Sequence, residues 1–164
     1  MGRFLFVSLG LLVVVFSLSG IGAHQQCPVG WFSHNVSCYK LFKDWKTWDE
    51  AQRICMDEQE NGQLASIKDA AESLKLSDEI SKTRIILDVW IGLTLSKRTG
   101  IWKWGDGSNV TYTRWEEGEP NNLWKNEFCA ALTSGSRYLK WNDKNCHHWH
   151  RFICKFQPRR EASG

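Results

Sequence analysis

The sequence has no CxxC pair, no internal repeat, no low-complexity tract and, after residue 23, no apolar run near the roughly 20 residues that cross a bilayer. The first absence makes a structural zinc site a weak reading. The others leave a single domain with no visible linker. An excess of one charge is missing too, with 21 Lys and Arg against 18 Asp and Glu. So balanced a chain carries no polyelectrolyte signature of a nucleic-acid partner. No nucleophile stands with a base and an orienting group, so a hydrolase has no legible machinery.

What is present begins with the N-terminus. Met1-Gly2-Arg3 precedes an apolar stretch through Phe16, and small residues lead to Ala23. Residues 1–23 read as a secretory signal peptide, cut after Ala23, leaving 24–164 as one domain. Ser8, Gly10, Ser17 and Ser19 break the run and argue against a membrane anchor. Arg3 is the signal's one charged residue, so its removal lowers the formal charge of +3 by one. Cys27, Cys38, Cys55, Cys129, Cys146 and Cys154 all follow it. An even count in a secreted chain implies three disulfides, although spacing does not choose among the fifteen connectivities. Asn35-Val36-Ser37 and Asn109-Val110-Thr111 are glycosylation sequons, expected to be exposed. Arg151, Lys155, Arg159 and Arg160 read as a solvated face and tail rather than a heparin patch.

Cys27–Trp31 and Val36–Lys40 flank a turn and predict an N-terminal hairpin. Thr47-Trp48-Asp49-Glu50 has the capping-box pattern, and Trp48, Ala51 and Cys55 predict a helix reaching the Cys55 region. A second helix is predicted from Asp69, with Glu72 in its first turn, through Leu74, Leu76 and Ile80. Strands are predicted at Ile85–Leu87, Val89–Leu93, Trp102–Trp104, Cys129–Leu132, Tyr138–Trp141 and Arg151–Cys154. Between Trp115 and Cys129 there is no periodicity, and a long loop of this kind in a compact domain is usually functional.

That loop, with its continuation to Asp143, is rich in side-chain oxygens: Glu119, Asn121, Glu127, Asn142 and Asp143. Calcium takes about six to eight oxygen ligands from carboxylates, amides and backbone carbonyls, so this mixture suits calcium better than a transition metal. His147, His148 and His150 beside Trp149 read as a surface hairpin rather than a metal site. Among the aromatics near the loop, Trp115 and Trp141 read as packing residues, and Trp124 as the candidate for stacking on a ligand.

Cys-Pro-x-Gly-Trp at 27–31, Trp90-Ile91-Gly92-Leu93, Glu119-Pro120-Asn121, Trp141-Asn142-Asp143 and Phe152-Ile153-Cys154 together resemble the C-type lectin-like domain, over residues 27 to about 156. Signal and length resemble those of snake-venom C-type lectins in particular. The resemblance implies an α+β, C-type lectin-like fold: two helices, small antiparallel sheets, a long calcium- and sugar-binding loop and three disulfides. It pairs Cys27 with Cys38, Cys55 with Cys154, and Cys129 with Cys146. With no cysteine left over, any homo-oligomer is expected to be non-covalent. The resemblance also implies a cis Pro120 and one Ca2+ ion on Glu119, Asn121, Glu127, Asn142 and Asp143. Auxiliary calcium sites look lost, because Thr94–Arg98 lacks acidic ligands and Asn122 is not an Asp. The same five residues would bind sugar, and the Glu-Pro-Asn order goes with mannose-type sugars. The implied protein is a secreted, non-enzymatic lectin for mannose-containing glycans of cell surfaces, agglutinating cells if oligomeric, with no nucleic-acid partner and no membrane insertion. The rival is a calcium-independent toxin of the same fold that binds haemostatic proteins.

Overall fold

A computed structural model describes residues 27–159. The proposed signal peptide and Arg160 lie outside the described residues. Strands β1 (Phe32–His34) and β2 (Ser37–Lys46) form an N-terminal hairpin whose first arm follows Cys27–Trp31 rather than lying within it, and helix α1 (Trp48–Glu58), β3 (Gln63–Leu64) and helix α2 (Ala70–Lys82) come next. Then come β4 (Val89–Leu95), β5 (Trp102–Trp104), β6 (Cys129–Leu132), β7 (Trp141–Lys144) and β8 (His150–Phe156). The main sheet runs β1-β2-β8-β4-β6-β7, with β3 added on β8 and β5 on β4. Pairing is antiparallel except between β4 and β8. That parallel pair joins the N- and C-terminal hairpin to the strands beneath the long loop.

Helix α1 starts where its sequence says it should. The Thr47 amide and the Glu50 amide exchange hydrogen bonds with each other's side chains, the reciprocal capping box. Trp48, Ala51 and Cys55 fall on one buried stripe. Asp69 caps α2 by accepting from the Glu72 amide at 2.8 Å. Here the buried stripe is Glu72, Ser73, Leu76, Ser77 and Ile80, and Leu74 is exposed. At 3.6 residues per turn Leu74 sits two positions from Leu76, about 200° around the helix, and so faces away from the core.

Alternation along β4 divides the interior. Val89, Ile91 and Leu93 pack with Leu76, Ile80, Leu132 and Ile153 on the α2 side, while Trp90 packs with Trp48, Cys55, Phe152 and Cys154 on the α1 side. Gly92 lies against the Leu64 carbonyl, where any Cβ would collide. Disulfides join Cys27–Cys38, Cys55–Cys154 and Cys129–Cys146. The second ties α1 to β8 across a sequence separation of 99, a loop whose closure contributes roughly 4 to 5 kcal/mol on the chain-entropy account. Such fully bonded cysteines belong to an oxidising compartment. The protein is secreted.

Two predicted strands are corrected. Ile85–Leu87 is a connector rather than a strand, with Ile86 79% exposed. Arg84 adopts a left-handed conformation after α2, and Asp88 anchors the segment by accepting from the Ser134 amide at 2.8 Å and pairing with Lys144 at 3.0 Å. The strand expected at Tyr138–Trp141 begins only at Trp141, because Arg137 and Tyr138 are left-handed and turn the chain. Tyr138 is buried nonetheless, its hydroxyl donating to the Ile85 carbonyl. Of the C-terminal basic residues, Lys155 does not belong to a solvated face. Lys155 is buried and pairs with Glu72 at 2.6 Å, whereas Arg159 pairs with Glu60.

Candidate functional site

The long loop is rooted at its start by backbone bonds to one residue of β7. The Trp141 amide donates to the Arg114 carbonyl, and the Glu116 amide donates to the Trp141 carbonyl, both at 2.8 Å. Beyond this root the Glu119-Pro120 bond is cis. On the other side β6 and β7 pair Ala130 with Asp143 and Ala131 with Asn142, and the Cys129–Cys146 bridge closes their ends. One framework strand, β7, therefore carries Asn142 and Asp143, while the loop carries Glu119, Asn121 and Glu127.

Asp143 is fully buried, and its carboxylate accepts from the Asn121 amide at 3.1 Å and the Asn122 amide at 2.6 Å. Glu119 accepts from both the backbone amide and the side-chain Nδ2 of Asn121, each at 3.0 Å. The Leu123 amide lies between Asn121 Oδ1 at 2.8 Å and Glu127 Oε2 at 2.9 Å. One run of backbone amides thus gathers Glu119, Asn121, Glu127 and Asp143. Asn142 joins them through β7, and its Oδ1 is buried with no hydrogen-bond partner among the described residues. A buried amide oxygen left without a donor costs roughly 1 to 3 kcal/mol, so it marks a place for an electrophile.

Electrostatics point the same way. Burial, a hydrogen bond to Asp143 and the charges of Asp143 and Glu127 raise the Glu119 carboxyl above its ordinary range, against the Asn121 amide, which lowers it. Repelled carboxylates beside an unsatisfied amide oxygen fit a hard, oxygen-seeking cation. Among the described residues no three His, Cys, Asp or Glu side chains are grouped to hold a metal by themselves. An ion here would depend on the amide oxygens of Asn121 and Asn142.

Residues 44–156 match the Lectin C-type domain. The chain belongs to the C-type lectin family. It is 79% identical over 156 residues to C-type lectin lectoxin-Phi1 of Philodryas olfersii, covering 95% of this chain and 100% of that protein. It is 65% identical to C-type lectin 1 of Hydrophis hardwickii over the full length of both. Human lithostathine shares the fold at TM-score 0.76 and 32% identity, covering 80% of this chain and 100% of its own. C-type lectin CEL-I from Cucumaria echinata does so at TM-score 0.74 and 28% identity, covering 79% and 96%. A calcium-independent type II antifreeze protein also superposes, at TM-score 0.70 and 32% identity, covering 80% and 95%.

Within this C-type lectin domain Asn122 is the site residue that sequence reasoning missed. Its amide reaches Asp143, and its Oδ1 accepts from the Glu127 amide at 3.0 Å, fastening both ends of the loop. A left-handed φ of 45° lets it do both, a conformation Asn adopts more readily than most residues. Trp115 and Trp141 pack together with Trp102, Trp104 and Tyr112, whereas Trp124 is 88% exposed at the loop's edge. His147 and His148 are exposed in a turn. His150 instead packs edge-on against Trp90, 4.6 Å between centroids. Asn35 and Asn109 are both exposed.

Proposed function

We propose that this protein is a venom lectin that binds mannose-type sugars on cell-surface glycans in a calcium-dependent way and catalyses nothing. The observation that carries this reading is the convergence of Glu119, Asn121, Glu127 and Asp143 beside the unpartnered Oδ1 of Asn142. These five residues would hold one Ca2+, which supplies open coordination positions for a pair of vicinal hydroxyls. Glu119 and Glu127 would accept the hydroxyl protons, and the Asn121 and Asn142 amides would donate to the hydroxyl oxygens. The Glu119-Pro120-Asn121 order supports the mannose-type choice. Trp124 would offer its exposed indole to a neighbouring sugar of the glycan.

A shallow site gives weak monovalent binding, so agglutination would need several sites per particle. Every cysteine is bonded within the chain, so such a homo-oligomer would be non-covalent. Glycans attached at Asn35 and Asn109 would project from exposed positions. A glycan array with and without chelator tests the reading. Mannose-type binding abolished by chelator and restored by calcium is expected. Binding that ignores the chelator would replace this reading with the protein-binding alternative, a course made concrete by the calcium-independent antifreeze relative.

A further inference from the structure

β2 and β8 pair regularly from Cys38 with Phe156 to Phe42 with Phe152, and resume at Lys46 with His150. Between these points Lys43, Asp44 and Trp45 face the single residue Arg151. Extra residues in one strand push it outward and re-aim its side chains, as bulges do. Both ends of this bulge are pinned: Arg151 Nε donates to the Lys43 carbonyl at 3.1 Å, and Trp90 Nε1 donates to the Lys46 carbonyl at 3.0 Å. The Arg151 guanidinium lies 5.2 Å from the Trp45 ring centroid. Trp45 nevertheless stays 45% exposed.

The turn before β8 is held beside this bulge, because the Trp48 amide donates to the Cys146 carbonyl at 3.0 Å. That turn presents His147, His148 and Trp149, the last 66% exposed. Two exposed indoles and the cations Lys43, Lys46 and Arg151 therefore meet at one corner, with Asp44 as the carboxylate of the bulge. None of these three cations forms a salt bridge among the described residues. The long loop plays no part in building this surface.

We propose that this corner is a second, calcium-independent binding site for linear sulfated polysaccharides. Guanidinium and ammonium groups recognise oxyanions, and indole faces stack on the C–H faces of sugar rings. In the extracellular space sulfated polysaccharides are the abundant linear polyanions. A membrane surface fits less well. Interfacial surfaces add leucine and phenylalanine to their Trp and cations, whereas the exposed aliphatics Leu74, Ile86, Ile101 and Leu123 belong to other segments.

Heparin is the probe, with the full chain measured by heparin-affinity chromatography and calorimetry in chelator. Retention at physiological salt is expected. Lys43→Gln with Lys46→Gln should weaken binding about tenfold and reduce the slope of log affinity against log salt by about one to two, since fewer counterions are released. Trp45→Ala with Trp149→Ala should weaken binding with little change in slope. Near-UV circular dichroism verifies the fold of both variants, and unaltered mannan binding separates this site from the long loop. No retention, retention unaffected by both double variants, or retention lost on chelation would overturn the proposal. Binding to phosphatidylserine vesicles without binding to heparin would overturn it in favour of a membrane partner.

Discussion

Asn122 donates its backbone amide to the buried Asp143 carboxylate at 2.6 Å across 21 positions of sequence. The bond joins the tip of an irregular loop to the middle of a β-ladder, and the Asn121 amide reinforces it at 3.1 Å. Asp143→Ala leaves two amides without their charged acceptor. Hydrogen bonds to a charged group contribute about 1.5 to 3 kcal/mol each, so a loss of about 2 to 4 kcal/mol is expected once the loop relaxes. Thermal unfolding in chelator measures it. A Tm unchanged within a degree would show that this bond does not order the loop. Calcium should raise the Tm of the parent chain and leave that of the variant unmoved.

The pH response of the loop should reverse with the ion. Burial and the neighbouring Asp143 raise the Glu119 carboxyl. A folded-state value above the unfolded one means that the folded chain binds the proton more tightly. Without calcium this group therefore favours folding at low pH, and that contribution disappears as pH rises through its folded value. With calcium the ligands must be ionised, so acid competes with the ion and lowers stability. Urea unfolding across the carboxylate range, with and without calcium, should give opposite slopes for the part removed by Glu119→Gln. Identical slopes would remove Glu119 from the ion's ligand set.

Much of the fold is legible in the sequence, and for local reasons. Thr47 with Glu50 and Asp69 with Glu72 are caps whose chemistry operates within one helical turn. Trp102–Trp104 and Arg151–Cys154 carry their strand pattern in their own side chains. Local pattern misleads at Ile85–Leu87, where β-branched residues favour a strand while Asp88 fixes a connector through Lys144 and Ser134. It also misleads at Lys155, whose partner Glu72 lies 83 positions away. The oxygen set of the loop was visible as composition. Its cross-links were not, because they run through the backbone amides of Asn121, Asn122 and Leu123, which side-chain identity does not encode.

Sugar preference should follow the order of acceptor and donor around the ion. Glu119 accepts from Asn121 on two atoms at 3.0 Å, so exchanging acid and amide exchanges which side offers acceptors. Glu119→Gln with Asn121→Asp retains the oxygens and the total charge. Competition of mannan binding by free sugars should shift toward galactose by about tenfold, equivalent to about 1.4 kcal/mol. A variant that keeps calcium-dependent binding and the parent's mannose preference would refute this basis for selectivity.

His150 adds an acid response that does not involve the loop. Its two ring nitrogens are buried with no hydrogen-bond partner among the described residues, and the ring packs edge-on to Trp90. Burial, then the charge of Lys144, push it down to about 4 from the ordinary 6.5, against the pull of Asp88. The unfolded chain therefore takes up this proton at higher pH than the folded chain. The neutral ring's contribution to stability is complete above about 6.5 and is lost as pH falls from there towards about 4. His150→Phe preserves an edge-on ring against Trp90 and removes the proton. Chelator keeps the calcium effect out of the comparison. Urea midpoints at pH 7 and pH 5 should fall less for the variant than for the parent, and equal falls would mean that His150 does not stay neutral in the folded chain.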